Sequence, residues 1–140
     1  MMANDPGTRL PAGAKPVRMI PVLGQVPAGI PEVKEQDIID YVALPDAPDN
    51  SFALVVQGES MTGSNIQHGD YVIFVPKADI KPGDVVVALN EFNAAMVKQY
   101  MLKDGQPWLI STNPAFPSFQ VNGAYRVVGK VVDVVRRIKV

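Results

Sequence analysis

The sequence predicts a mostly β protein, a compact set of twisted sheets or a small barrel, and three observations carry that expectation. From Val17 onward the apolar residues come in short runs rich in β-branched side chains. Turn formers separate the runs. No stretch sustains apolar residues at i, i+3, i+4 and i+7, the spacing a helix needs to bury one face. A chain of 140 residues is enough for one real core but not for two.

Taken in order, Met1 to Pro16 is expected to be a linker or tail. Ten of the first 31 residues are proline or glycine; proline lacks the amide donor and glycine is costly to order, so no helix can propagate there. A single domain is expected over residues 17–140. Its strands are expected at Val17-Leu23, Ile38-Leu44, Phe52-Gln57, Tyr71-Val75, Val85-Leu89, Ala94-Met101, Trp108-Ser111 and Tyr125-Ile138. The turns between them fall at His68-Gly69-Asp70, Lys81-Pro82-Gly83-Asp84, Lys103-Asp104-Gly105 and Asn122-Gly123. The last strand, with six valines between Val127 and Val135, carries more apolar surface than one sheet face needs. It is either a buried central strand or an edge that pairs with its twin in a homodimer.

Composition removes several function classes. Thirteen basic side chains against 14 acidic ones give no field that would draw the chain onto nucleic acid. With no cysteine there is no disulfide, thiolate nucleophile or cysteine-ligated metal. No apolar run approaches the roughly 20 residues that span a bilayer, and the N-terminus lacks a charged-then-apolar signal pattern. A soluble, cytoplasmic protein without a membrane partner is expected. No cofactor or metal is expected either, since His68 is the only histidine and stands in a turn.

The stretch "QGESM", Gln57 to Met61, ends an apolar run on a glycine, a carboxylate and a serine. A G-x-S-x-G elbow is missing because Thr62 follows Met61. A Ser-His-Asp triad could use only His68, no S-x-x-K motif occurs, and no glycine-rich phosphate loop is present. Lysine is the remaining candidate to activate a serine. In "NAAMVKQYM" strand alternation puts Ala94, Met96, Lys98 and Tyr100 on one face and Ala95, Val97, Gln99 and Met101 on the other. Lys98 therefore has apolar neighbours. Its stem can cover apolar surface while the ammonium reaches water; or the amine is desolvated, which lowers its pKa and lets it act as a base.

Four pieces in order change the weight of these readings: Gly58-x-Ser60-Met61, Gly69-Asp70 opening an apolar strand, Gly83-Asp84-Val85-Val86-Val87-Ala88, and Val97-Lys98 before a polar residue. Together they resemble the LexA/UmuD family of self-cleaving serine proteases. The resemblance continues through "STNPAFPSFQV" and "VVGKVVDVV" and upstream to about Val17. It implies the family's C-terminal, signal-peptidase-like β fold, with Ser60 as nucleophile and Lys98 as general base. "IPVLGQVPAGIP" is similar to the family's cleavage segment, here residues 22–31, in which the Ala28-Gly29 bond would be cut. Val26 would anchor that segment, and Pro27 stands where the family more often has alanine.

The resemblance also implies a homodimer, and cleavage stimulated by RecA filaments on single-stranded DNA during the DNA-damage response. Repressors of this family bind DNA through an N-terminal helix–turn–helix, which nothing before Val17 could form. A repressor fragment is therefore expected, with a UmuD-like accessory protein of a translesion polymerase or a non-catalytic dimerisation module as alternatives. Signal peptidases share the Ser-Lys pair and related β architecture but are membrane-anchored.

Overall fold

The structure is a computed structural model, and it describes residues 17–27, 33–76 and 78–136. The expected tail before Val17 lies outside the described residues. Among the described residues nine strands form: β1 (Val17–Leu23), β2 (Ile38–Pro45), β3 (Phe52–Val55), β4 (Tyr71–Pro76), β5 (Val85–Leu89), β6 (Ala95–Lys103), β7 (Gln106–Ile110), β8 (Phe119–Gln120) and β9 (Arg126–Val135). Eight follow the β-branched runs to within a few residues. The ninth, β8, was not expected: a two-residue strand gives no alternation to read, and it exists because Trp108 and Leu109 of β7 offer it a partner.

All nine belong to one mixed sheet, in the order β2-β1-β3-β4-β9-β5-β6-β7-β8. The sheet is open, with β2 and β8 at its edges, so the barrel alternative does not apply. Every pairing is antiparallel except that of β1 with β3. β9 sits in the interior of this order. Along Gly129–Val135 it pairs with β4, and along Arg126–Lys130 with β5. The last expected strand is thus central over part of its length, while beyond Lys130 it pairs with β4 alone among the described residues.

A main apolar cluster draws on both halves of the sheet. Leu54 and Val56 from the β3 end, Val72 and Phe74 of β4 and Val87 and Leu89 of β5 pack there with Leu23, Val26, Met61 and Ile66. Removing residues of this size from water supplies roughly 1.5–3 kcal/mol each. Gly129 of β9 lies so close to Phe74 that an added Cβ would come within 2.6 Å of the ring. Only glycine lets β9 cross there. The face alternation read for β6 is realised, since Met96 and Tyr100 pack with Val86, Ala88 and Leu109 while Val97 joins the main cluster.

Candidate active site

β3 ends at Val55, and the chain then leaves the sheet through Gln57 to Ser60. Two bonds extend the β3–β4 ladder one step further, Val56 N–H to Asp70 O at 2.8 Å and Gly69 N–H to Val56 O at 2.9 Å. Gly58 then adopts φ of 79°, a left-handed conformation that side chains resist, and it turns the chain. Its N–H donates to Nδ1 of His68 at 2.9 Å. The only histidine is therefore exposed and acts as an acceptor that steadies the turn, two residues from Ser60. Glu59 is exposed.

Beyond Ser60 the chain is pinned from below. Met61 is 1% exposed and sits in the main cluster. A 3-10 turn at Thr62–Ser64 closes with Asn65 in the left-handed region. The far end of the loop is fixed by Asp70, 2% exposed, whose two carboxylate oxygens accept from Arg136 Nε and Nη2, each at 2.9 Å. Arg136 also donates to Asn65 O, and Gln67 N–H donates to Asp70. The guanidinium hydrogen bonds hold the Asp70 carboxyl below its ordinary range, against the opposing effect of burial.

Lys98 arrives from the other half of the sheet. It stands opposite Val86 in the β5–β6 register and is 8% exposed. Its Nζ lies 2.8 Å from Ser60 Oγ, across 38 residues of sequence. β4, β9 and β5 separate β3 from β6 in the sheet order, which in a flat sheet would place them about 19 Å apart. The contact therefore needs both the curl of the sheet and the loop after β3 folding across its face. Among the described residues no carboxylate forms an ion pair with Lys98. Desolvation lowers its pKa, with no counter-charge to restore it. A neutral amine at this distance can accept the serine proton.

Ser60 and Lys98 open into a cleft of about 410 Å³, lined also by Val26, Leu54, Met61 and Met96. Met61 and Met96 thus both border the pair, in the positions where they would exclude water. Ala28 and Gly29, read from the sequence as the cut bond, lie outside the described residues. Of the described residues on either side, Val26 and Val33 both pack in the main cluster that includes Leu54 and Met61. Among the described residues no group of three or more His, Asp or Glu side chains could hold a metal ion.

The contact of Asn113 with the Ser60 loop escaped the sequence reading. The segment after β7 lies against the Ser60 loop, where Asn113 N–H donates to Ser60 O and Asn113 Nδ2 to Glu59 O, both at 3.0 Å. Thr112 approaches Gly63 so closely that an added Cβ would stand 2.0 Å from its carbonyl oxygen. The available signal was the Asn-Pro pair in "STNPAFPSFQV", which reads as a turn without saying what the turn touches.

Comparison with known proteins places these residues in a family. A family described as peptidase S24-like matches residues 21–132. The LexA repressor of Shouchella clausii is 38% identical over 122 residues, covering 85% of this chain and 58% of that protein. That of Syntrophomonas wolfei is 38% identical over 122 residues, covering 85% of this chain and 59% of that protein. The LexA repressor of Bifidobacterium adolescentis is 36% identical over 122 residues, 85% of this chain and 47% of its own length. The chain thus spans about half to three-fifths of the relatives it matches.

Proposed function

The chain belongs to the peptidase S24-like family, and we propose that it is the self-cleaving Ser-Lys peptidase domain of a LexA-like repressor. The observation that carries this reading is a buried lysine, without a counter-ion among the described residues, 2.8 Å from a serine hydroxyl at the wall of a cleft. The domain is residues 17–140, with residues 22–31 as its own substrate segment.

In the proposed reaction neutral Lys98 takes the Ser60 proton as Oγ attacks the carbonyl carbon of Ala28. Backbone N–H groups at Ser60 stabilise the resulting oxyanion, a contribution of several kcal/mol in sites of this kind. The bond from Ala28 to the Gly29 nitrogen then breaks, and the Lys98 ammonium returns the proton to the leaving amine. Water, deprotonated by Lys98, hydrolyses the ester and frees Ser60. Val26 and Val33 support this reading because they tether the substrate segment on both sides of the bond. Small residues at 28 and 29 suit a loop that must thread beside the nucleophile.

The repressor names of the matched relatives favour a transcriptional role over the UmuD-like alternative. In that role RecA filaments on single-stranded DNA stimulate the cut, and DNA is bound by a helix–turn–helix domain separate from residues 17–140. Incubation at alkaline pH without any partner should yield two fragments whose masses place the break between Ala28 and Gly29. A chain that stays full length while remaining folded would instead be a non-catalytic module.

A homodimer belongs to the same reading. Beyond Lys130 one side of β9 carries no strand among the described residues, and Val132 is exposed there. A second copy can add its own Val131–Val135 to that edge about a two-fold axis. Sedimentation equilibrium should show dimer at high micromolar concentration; monomer alone would remove this assembly.

A further inference from the structure

Asn113 holds both peptide groups that flank the Ser60 α-carbon. Its side-chain Nδ2 donates to the carbonyl of Glu59 at 3.0 Å, and its own N–H donates to the carbonyl of Ser60 at 3.0 Å. The other donor to Glu59 O, the Thr62 N–H, is at 3.4 Å, so Asn113 supplies the closer bond. Asn113 is itself fixed, since its Oδ1 accepts from Ala115 N–H at 3.0 Å and its carbonyl accepts from Phe116 N–H at 3.0 Å.

Peptide planarity converts this grip into a direction. In a trans peptide the C=O and the following N–H point to opposite sides, and no described peptide bond is cis. Holding Glu59 C=O toward Asn113 therefore turns Ser60 N–H away from Asn113. Ser60 lines the cleft and Asn113 does not. Among the described residues the Ser60 N–H has no protein acceptor, although buried or half-buried backbone donors are seldom left unpaired. We infer that Asn113 is a positioning residue that aims the Ser60 N–H into the cleft, where it receives the oxyanion. The inference rests on the peptidase reading above and adds to it a residue outside the Ser60–Lys98 pair.

Two variants separate this role from plain loop packing. Asn113→Ala removes the donor to Glu59 without adding charge. Asn113→Asp also removes it but keeps an acceptor for Ala115 N–H, and so keeps the turn. Self-cleavage of both is followed from pH 7 to 11 beside the parent, together with thermal melting. Removing an oxyanion donor outright costs about 10²–10³-fold in rate, so loosening one should slow the alkaline plateau by about 10- to 100-fold in both variants. The pH midpoint of Asn113→Ala should stay at the parent value, because Lys98 is untouched. Parent-like rates in Asn113→Asp, or a moved midpoint in Asn113→Ala, would overturn the inference. Should one variant fail to fold, the other decides by its plateau rate. If the parent makes no fragments at any pH, the peptidase reading falls first and this role falls with it.

Discussion

Lys98→Arg should show no self-cleavage at any pH at which the parent cuts itself. Guanidinium does not deprotonate in a protein, so the variant keeps the charge and loses the base. General-base loss alone removes about 10²–10⁴-fold of rate. In the parent, burial lowers the Lys98 pKa. The neutral fraction therefore grows with rising pH and reaches completion earlier than for a free lysine near 10.4. The rate should climb above neutrality and level off once Lys98 is fully neutral. A histidine base would instead give a rise centred near 6.5 that is over by about pH 8. Rates of fragment appearance at several pH values decide the matter; an early plateau, or cutting by the arginine variant, would remove Lys98 from the mechanism. The same burial has a stability counterpart. Below its folded-state pKa Lys98 is a charge held out of water, so the unfolded chain keeps its proton more readily, and stability should rise with pH between the folded and unfolded values. Lys98→Met, apolar and of similar reach, should be inactive yet melt no earlier than the parent at neutral pH.

Ser60→Ala should stay full length under the alkaline conditions that split the parent. The change deletes the atom that forms the ester, and neither the oxyanion donors nor Lys98 can replace it. The fold should survive, because the Ser60 side chain is half-exposed and its side-chain hydrogen bond among the described residues is the one to Lys98, which can turn to water in the cleft. Intact mass together with a melting curve checks both halves of the expectation. A fragment ending at Ala28 from this variant would sink the assignment of the nucleophile.

Much of this architecture is legible in the chain. Strand positions follow from β-branched runs bounded by turn formers, and the alternation in β6 separates Met96 and Tyr100 from Val97 correctly. What alternation cannot supply is order within the sheet. The valine-rich β9 reads equally as an edge or an interior strand, and only its pairing with both β4 and β5 shows that it is interior along part of its length. The Ser60 and Lys98 candidates were legible because each stands in a recognisable short motif. Asn113 and Arg136 were not, since their partners, Glu59 and Asp70, lie 54 and 66 residues away and no local pattern encodes such a contact.

The interior place of β9 bears on when the reaction can begin. β2, β1, β3 and β4 form one half of the sheet and carry the Ser60 loop; β5 to β8 form the other and carry Lys98. Among the described residues β9 is the strand whose backbone hydrogen bonds join the two halves. A ribosome makes it after both of them. A growing chain that already contains Ser60 and Lys98 therefore still lacks the strand that joins their two halves of the sheet. If the chain cuts itself as proposed, a newborn molecule would stay uncut until its translation has passed Val135, and any cut would be confined to molecules whose sheet is whole.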